Sequence, residues 1–133
     1  MITFIHHVGL TVRDLEASAG WYERVLGFRR IGSYQEPGGR WRKAFLASDG
    51  LRTRLSLAQH TGAPQDPFDE RRVGLDHLAF GLEDIAELGE WVGRLEAAGV
   101  AHSQIADSNA IPGAQVLVFR DPDNIQLELY AQP

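Results

Sequence analysis

The chain writes one stretch twice. Residues 7–26 read HVGLTVRDLEASAGWYERVL, and seventy positions on, residues 77–96 read HLAFGLEDIAELGEWVGRLE. His7 aligns with His77, Leu10 with Phe80, Val12 with Leu82, Asp14 with Asp84, Leu15 with Ile85, Trp21 with Trp91 and Arg24 with Arg94, without a gap. The ends of the two halves also agree. FLASDGLRTRLSLAQ (45–59) matches LVFRDPDNIQLELYA (117–131) at a shift of seventy-two, so Asp49 meets Asp121, Leu55 meets Leu127, Leu57 meets Leu129 and Ser56 meets Glu128. A repeat of this kind means one supersecondary unit made twice, and any fold for the chain must contain that unit in duplicate.

The unit can be read from its periodicities. Apolar and small or polar residues alternate over 4–12, which predicts a strand with Val8, Leu10 and Val12 on one face and His7, Gly9 and Thr11 on the other. Asp14 stands where a helix N-cap belongs, and Leu15, Ala19, Tyr22 and Leu26 follow at helical spacing until Gly27, a C-cap residue. Strands are predicted over 28–34, 41–47 and 51–58. The Asp49-Gly50 pair between the last two suggests a two-residue hairpin turn. Residues 60–73 hold two prolines, a glycine and five charged residues and follow no period, as a linker would. The unit then recurs: a strand over 75–82, a helix from Asp84 to about residue 98, and strands over 101–106, 115–120 and 125–130. Asp121-Pro122-Asp123-Asn124 reads as a turn between the last two strands. The expected fold class is α+β, two tandem βαβββ modules (1–59 and 74–133, joined by 60–73) in one domain with a cupped mixed sheet.

The bulk numbers exclude several functions. With 133 residues the chain can bury a core of ordinary size. A net charge of −5 argues against nucleic acid, which calls for clustered Lys and Arg. No cysteine is present, so disulfides, thiolate metal sites and a Cys nucleophile are out. No apolar run is long enough to span a membrane and no signal sequence is evident, so a soluble cytoplasmic protein is expected.

The helix of each module must bury its apolar stripe on its own sheet. Leu10, Val12, Leu55 and Leu57 supply that face in the first half, and Phe80, Leu82, Leu127 and Leu129 in the second. The opposite face then carries His7, Ser56, His77 and Glu128, which two curved sheets would gather about a pseudo-twofold axis. His6, next to His7, is sent to the other side by alternation.

The paired βαβββ pattern, with HHVGLTVRDLEASAGWYERVLGF, LDHLAFGLED and FRDPDNIQLELY, resembles the vicinal oxygen chelate superfamily, the group of glyoxalases, fosfomycin- and bleomycin-resistance proteins and extradiol dioxygenases. The resemblance covers essentially the whole chain and is more specific for fold than for reaction. It implies metal ligands on the first and fourth strands of each half: here His7, His77 and Glu128, with Ser56 in the remaining position. A glyoxalase I would be expected to carry a carboxylate or similar ligand there. Two imidazoles and one carboxylate leave open positions on a divalent ion (Fe²⁺, Mn²⁺, Ni²⁺ or Zn²⁺) for two adjacent oxygens of a small-molecule substrate. Such an ion acts as a Lewis acid.

Around this set, Glu128 is expected to have a catalytic as well as a ligating role. Arg54 is placed to clamp an anionic group on the substrate, and Tyr130 to donate to a metal-bound oxygen. Trp41 and Phe119 are candidate cavity residues, while Trp21 and Trp91 read as core or interface. His60 and His102 are expected in solvent. The resemblance further implies a homodimer. It leaves two rival activities: sequestration of a drug without metal chemistry, as in bleomycin resistance, and thiol or water addition to an epoxide, as in fosfomycin resistance. The second would need a basic cluster, for which Arg40, Arg42, Lys43, Arg52 and Arg54 are the candidates.

Overall fold

The computed structural model describes residues 1–133. The chain divides into two compact units, Met1–Asp66 and Pro67–Pro133, with the boundary inside the aperiodic 60–73 stretch. No helix is long and apolar enough to cross a membrane.

The first unit contains β1 (His7–Thr11), α1 (Leu15–Leu26), β2 (Arg29–Gln35), β3 (Trp41–Ala47) and β4 (Arg54–His60). Its four strands form one sheet in the order β1-β4-β3-β2, with β1 and β4 parallel and the other pairs antiparallel. Asp14 caps α1 as its sequence position suggests: its Oδ1 accepts from the Ala17 N–H at 3.0 Å. The helix stops at Gly27, whose φ of 75° is left-handed. There the Gly27 N–H donates to the Glu23 carbonyl and the Phe28 N–H to the Tyr22 carbonyl, both at 3.2 Å. This pair of hydrogen bonds satisfies carbonyls that the helix end leaves open, and glycine adopts the required conformation without a Cβ clash. Between the caps, Leu15, Ser18, Ala19, Trp21, Tyr22, Val25 and Leu26 are buried. They pack on a sheet face built from Leu10, Ala44, Leu46, Leu55 and Leu57, all buried, with Val12 just beyond β1.

The second unit contains β5 (Leu78–Leu82), α2 (Glu87–Ala97), β6 (Ala106–Asp107), β7 (Gln115–Arg120) and β8 (Gln126–Ala131). Its sheet has the matching order β5-β8-β7-β6, again with the first pair parallel. Leu117, Phe119, Leu127 and Leu129 form its buried face, covered by Leu88 and Leu95 of α2. The α+β class and the duplicated unit are thus observed, each module as a four-stranded mixed sheet with one helix.

Four local expectations differ from the structure. The first strand of each half begins three residues late, at His7 and Leu78 and not at residues 4 and 75. Asp49-Gly50 does not close a two-residue hairpin, because β4 starts only at Arg54. Arg52 and Thr53 serve the N-terminal tail instead: Thr53 Oγ1 donates to the Ile5 carbonyl at 2.8 Å and the Arg52 guanidinium stacks 3.5 Å from the Phe4 ring centroid. The strand expected over 101–106 shrinks to Ala106–Asp107 and a bridge from His102 to Phe119. The Ser103 N–H donates to the Val118 carbonyl, but the Val118 N–H is taken by the Ser103 Oγ, so a side chain stands in for the backbone acceptor and the ladder stops. Finally, α2 starts three residues after Asp84. Asp84 is bonded within the turn that precedes the helix: its Oδ1 accepts from the Ala86 N–H, and its own N–H donates to Glu87 Oε1. Between Asp84 and Gly89 the chain runs through i→i+3 bonds before the α-helix settles.

Candidate functional site

In the second unit, burial of Leu127 and Leu129 fixes the parity of β8. Leu127 pairs with Phe119 and Leu78, and Leu129 with Leu117 and Phe80, so these side chains share the core face. Gln126, Glu128 and Tyr130 must then share the other. His77 immediately precedes β5, two residues from the Ala79 that pairs with Glu128. The result is an imidazole against a carboxylate: His77 Nε2 lies 3.7 Å from Glu128 Oε2. The ring is held from behind, its Nδ1 2.7 Å from Asp76 Oδ1. That hydrogen bond, together with the negative charges of Glu128 and Asp76, raises the pKa of His77 above its ordinary value against the opposing effect of burial. Glu128 is only 14% exposed. Its other oxygen, Oε1, accepts from the Gln126 side-chain amide at 3.1 Å.

In the first unit, the parallel register places His7 opposite Arg54 and Gly9 opposite Ser56, so His7, Arg54 and Ser56 share a face. His7 is exposed, and Ser56 is buried at 5% exposure. His6 does not turn away. It lies before β1, where strand alternation has no hold, and its Nδ1 sits 2.9 Å from the Nδ1 of His7. One ring must carry the shared hydrogen and the other accept it. When His7 is the donor, its Nε2 keeps a free lone pair.

Other expected site residues are placed less simply. The Tyr130 hydroxyl lies on the Glu128 face and donates to Ser108 Oγ, which also accepts from the Ala110 and Ile111 N–H groups. Phe119 is a core residue, 2% exposed, on the face it shares with its pairing partner Leu127 and not on that of Glu128. Trp41 does line a cleft, of about 330 Å³, with Gln35, Gly39, Arg42, Gln59 and Thr61. Gln35, Arg42 and Gln59 have the parity of the helix-covered face, whereas Trp41 pairs with His60 and has the parity of Ser56, so the cleft lies at the strand ends and draws on both faces. Trp21 is buried, whereas Trp91 is half-buried under the stacked Arg94 guanidinium. His60 ends β4 as an exposed residue; His102 is half-buried, its Nδ1 2.6 Å from the Ser103 carbonyl. The basic candidates are engaged locally: Arg40 with Glu36, Arg42 with Gln59, Lys43 over Trp41 and Arg52 over Phe4. Neither unit contains a group of three or more His, Asp or Glu side chains that could hold a metal ion.

Asp76 and Gln126 were not singled out in the sequence, although both carried a signal. Asp76 abuts His77, and Gln126 is one strand period from Glu128.

Residues 4–129 match the family model of the Glyoxalase/Bleomycin resistance protein/Dioxygenase superfamily. The chain belongs to this superfamily. Among the similar superfamily proteins is a catechol-2,3-dioxygenase from Bacillus subtilis (strain 168), 37% identical over 97% of the chain; the chain spans 41% of that enzyme's length. The crystal structure of a glyoxylase/bleomycin resistance protein/dioxygenase domain from Frankia sp. EAN1pec is 34% identical, with a TM-score of 0.89 and full coverage of both chains. The superfamily fold is shared as well by the fosfomycin resistance protein FosX from Listeria monocytogenes, solved with Mn(II) and sulfate. That protein is 24% identical, with a TM-score of 0.72 over 100% of this chain and 95% of its own.

Proposed function

We propose that the chain is a divalent-metal-dependent enzyme whose ligands are His7, His77 and Glu128, acting on a small molecule that offers two adjacent oxygens. The observation that carries this reading is the His77–Glu128 pair. Donors bound at about 2.1 Å to one ion sit about 3 Å apart, so the 3.7 Å between Nε2 and Oε2 needs to close by less than an ångström. Asp76 holds the far ring nitrogen, the arrangement that orients a ligating imidazole and keeps Nε2 free for a cation. In the first unit the His6 ring offers His7 a comparable anchor. Two imidazoles and one carboxylate suit Fe²⁺ and equally accept Mn²⁺, Ni²⁺ or Zn²⁺. When bound, the ion supplies Lewis acidity to the substrate oxygens.

The remaining roles belong to this chain's own residues. Arg54, in register with His7, holds an anionic group of the substrate. Ser56 leaves room where a fourth ligand would stand. Tyr130 donates its hydroxyl hydrogen to a substrate oxygen, for which it must first release Ser108. The dioxygenase relative makes ring-opening of a catechol the first reaction to test, and glyoxalase-type lyase or isomerase chemistry the second. We extend the proposal to a homodimer, since each sheet has edge strands open to pairing.

The test is metal analysis of protein purified anaerobically and reconstituted with each ion, then a panel of catechols, hemithioacetals, fosfomycin with thiols, and bleomycin. One ion per chain, lost in His7→Ala, His77→Ala and Glu128→Ala, with turnover of one panel member, supports the reading. Bleomycin bound tightly and unchanged by metal-free protein overturns it in favour of sequestration.

A further inference from the structure

Glu128 does not stand alone on its face. Behind it runs a chain of polar side chains that begins in the connecting segment. The Arg120 guanidinium meets the Glu70 carboxylate through two bonds, Nη2 to Oε1 at 2.9 Å and Nη1 to Oε2 at 3.1 Å. The same group donates to the Asn124 carbonyl at 3.0 Å and to Gln126 Oε1 at 3.1 Å. Gln126 Nε2 then donates to Glu128 Oε1 at 3.1 Å. The orientation of the Gln126 amide follows from chemistry. A guanidinium has only donors and a carboxylate only acceptors, so the amide oxygen must face Arg120 and the amide nitrogen Glu128. Turned over, it would set N–H against N–H and oxygen against oxygen. Arg120 is itself oriented by a fork-to-fork pair, the strongest geometric constraint a surface ion pair offers.

The consequence falls on the carboxylate. Oε1 is committed to an amide donor, and Oε2 is left facing His77 Nε2 at 3.7 Å. We infer that Gln126, held by Arg120 and Glu70, is a positioning residue that makes Glu128 a one-oxygen ligand through Oε2. This rests on the ligand role proposed for Glu128 and adds residues outside the ligand set. It also gives the connecting segment a part in the site: Glu70 is its anchor, tied to the strand end that precedes the Asp121–Asn124 turn.

The experiment is Mn²⁺ titration by electron paramagnetic resonance, with absorption spectra of Co²⁺-substituted protein, on the full chain. Gln126→Met keeps the shape of the side chain and removes the donor. The expected result is Mn²⁺ binding weakened by about 10- to 100-fold, the range for loss of a ligand's supporting hydrogen bond. The Co²⁺ bands should also lose intensity as Glu128 turns to bind through both oxygens, a change that a structural role for Gln126 would not produce. Glu70→Gln, at the far end, shifts both readouts in the same direction by less, and carries the test should Gln126→Met not fold. Unchanged Mn²⁺ affinity and Co²⁺ spectrum in these variants, with binding lost in Glu128→Ala, overturns the positioning role and leaves the ligand role standing. Binding unchanged in Glu128→Ala overturns the ligand role itself.

Discussion

The two modules share a strand order and a sequence repeat, yet they are not built alike. Helix α1 has a side-chain N-cap at Asp14, a left-handed glycine at its end and seven buried residues between. Helix α2 has no side-chain cap at its N-terminal residue Ala86 and buries only Leu88 and Leu95. The outer faces diverge in the opposite sense. Opposite Gly9 in the first module stands Ser56, a small buried hydroxyl; at the matching place in the second stands Glu128, facing an imidazole and backed by an amide. Duplication has therefore kept the topology while the two copies specialised. The first invests more in its helix–sheet core, and the second carries more of the polar architecture.

The largest expected effects test the core side of this contrast. Tyr22 is fully buried in the first module, and Tyr22→Ala should cost about 3–5 kcal/mol by analogy with other buried aromatic truncations. Leu95→Ala should cost about 2–3 kcal/mol, at the lower end of the leucine range, because few buried neighbours on α2 surround the cavity. Urea midpoints of the two variants give the order. If Leu95→Ala proves the more damaging, the second module's helix carries more than its burial indicates.

Helix ends come next. Gly27 has a φ of 75°, and Gly27→Ala should cost about 1–2 kcal/mol by forcing a Cβ into the left-handed region. Asp14→Ala removes a cap bond and should cost about 1 kcal/mol, whereas Asp84→Ala should cost less, since Asp84 caps a turn ahead of α2 and not the helix itself. Equal losses from the two aspartates, read from thermal midpoints, would mean that the turn and the helix behave as one unit.

That pair of aspartates also shows where sequence reasoning carried and where it failed. Strand parity is local, so alternation about Leu10, Leu57, Phe80 and Leu129 was enough to put His7, Ser56, His77 and Glu128 on the faces away from the helices. The repeat was enough to make the modules equivalent. What it could not supply were bonds made by side chains to distant backbone. Asp84 matches Asp14 in the alignment, but Glu87 reaches back to its N–H and draws the start of the helix out into a turn. Thr53 and Arg52 look like strand residues until the tail at Phe4 and Ile5 occupies them. Ser103 ends a ladder with its hydroxyl. The support behind Glu128 was half legible: Gln126 is two residues away on the same face, and the β7–β8 register pairs it with Arg120. Glu70 lies fifty positions before Arg120, in a segment without period, and no pattern points to it.

The smallest effect expected is a pH dependence that is stronger in the second module, although Arg30 and Arg40 also hold the Glu16 and Glu36 carboxyls of the first below their ordinary value. The hydrogen bonds from Arg120 hold the Glu70 carboxyl down at about 2, against an ordinary 4.5. A carboxyl whose folded-state pKa is depressed contributes stability that is fully present above the unfolded value and is lost as pH falls toward the folded one. The Glu70 contribution should therefore fade between about pH 5 and pH 2. His77 has the opposite sign. Its pKa is raised by Asp76, so what it contributes without a bound cation is present below the ordinary histidine value and is lost as pH rises through the raised one. Both groups are partly exposed to water, and solvent screening keeps each contribution small. Urea midpoints taken across this range should show a shallower acid-side decline in Glu70→Gln, and a shallower alkaline-side decline in Asp76→Asn. A Glu70→Gln profile that follows the parent down through pH 4 would mean that the acid loss comes from other carboxyls, Asp69 beside Arg71 first among them, since that group too is held at about 2.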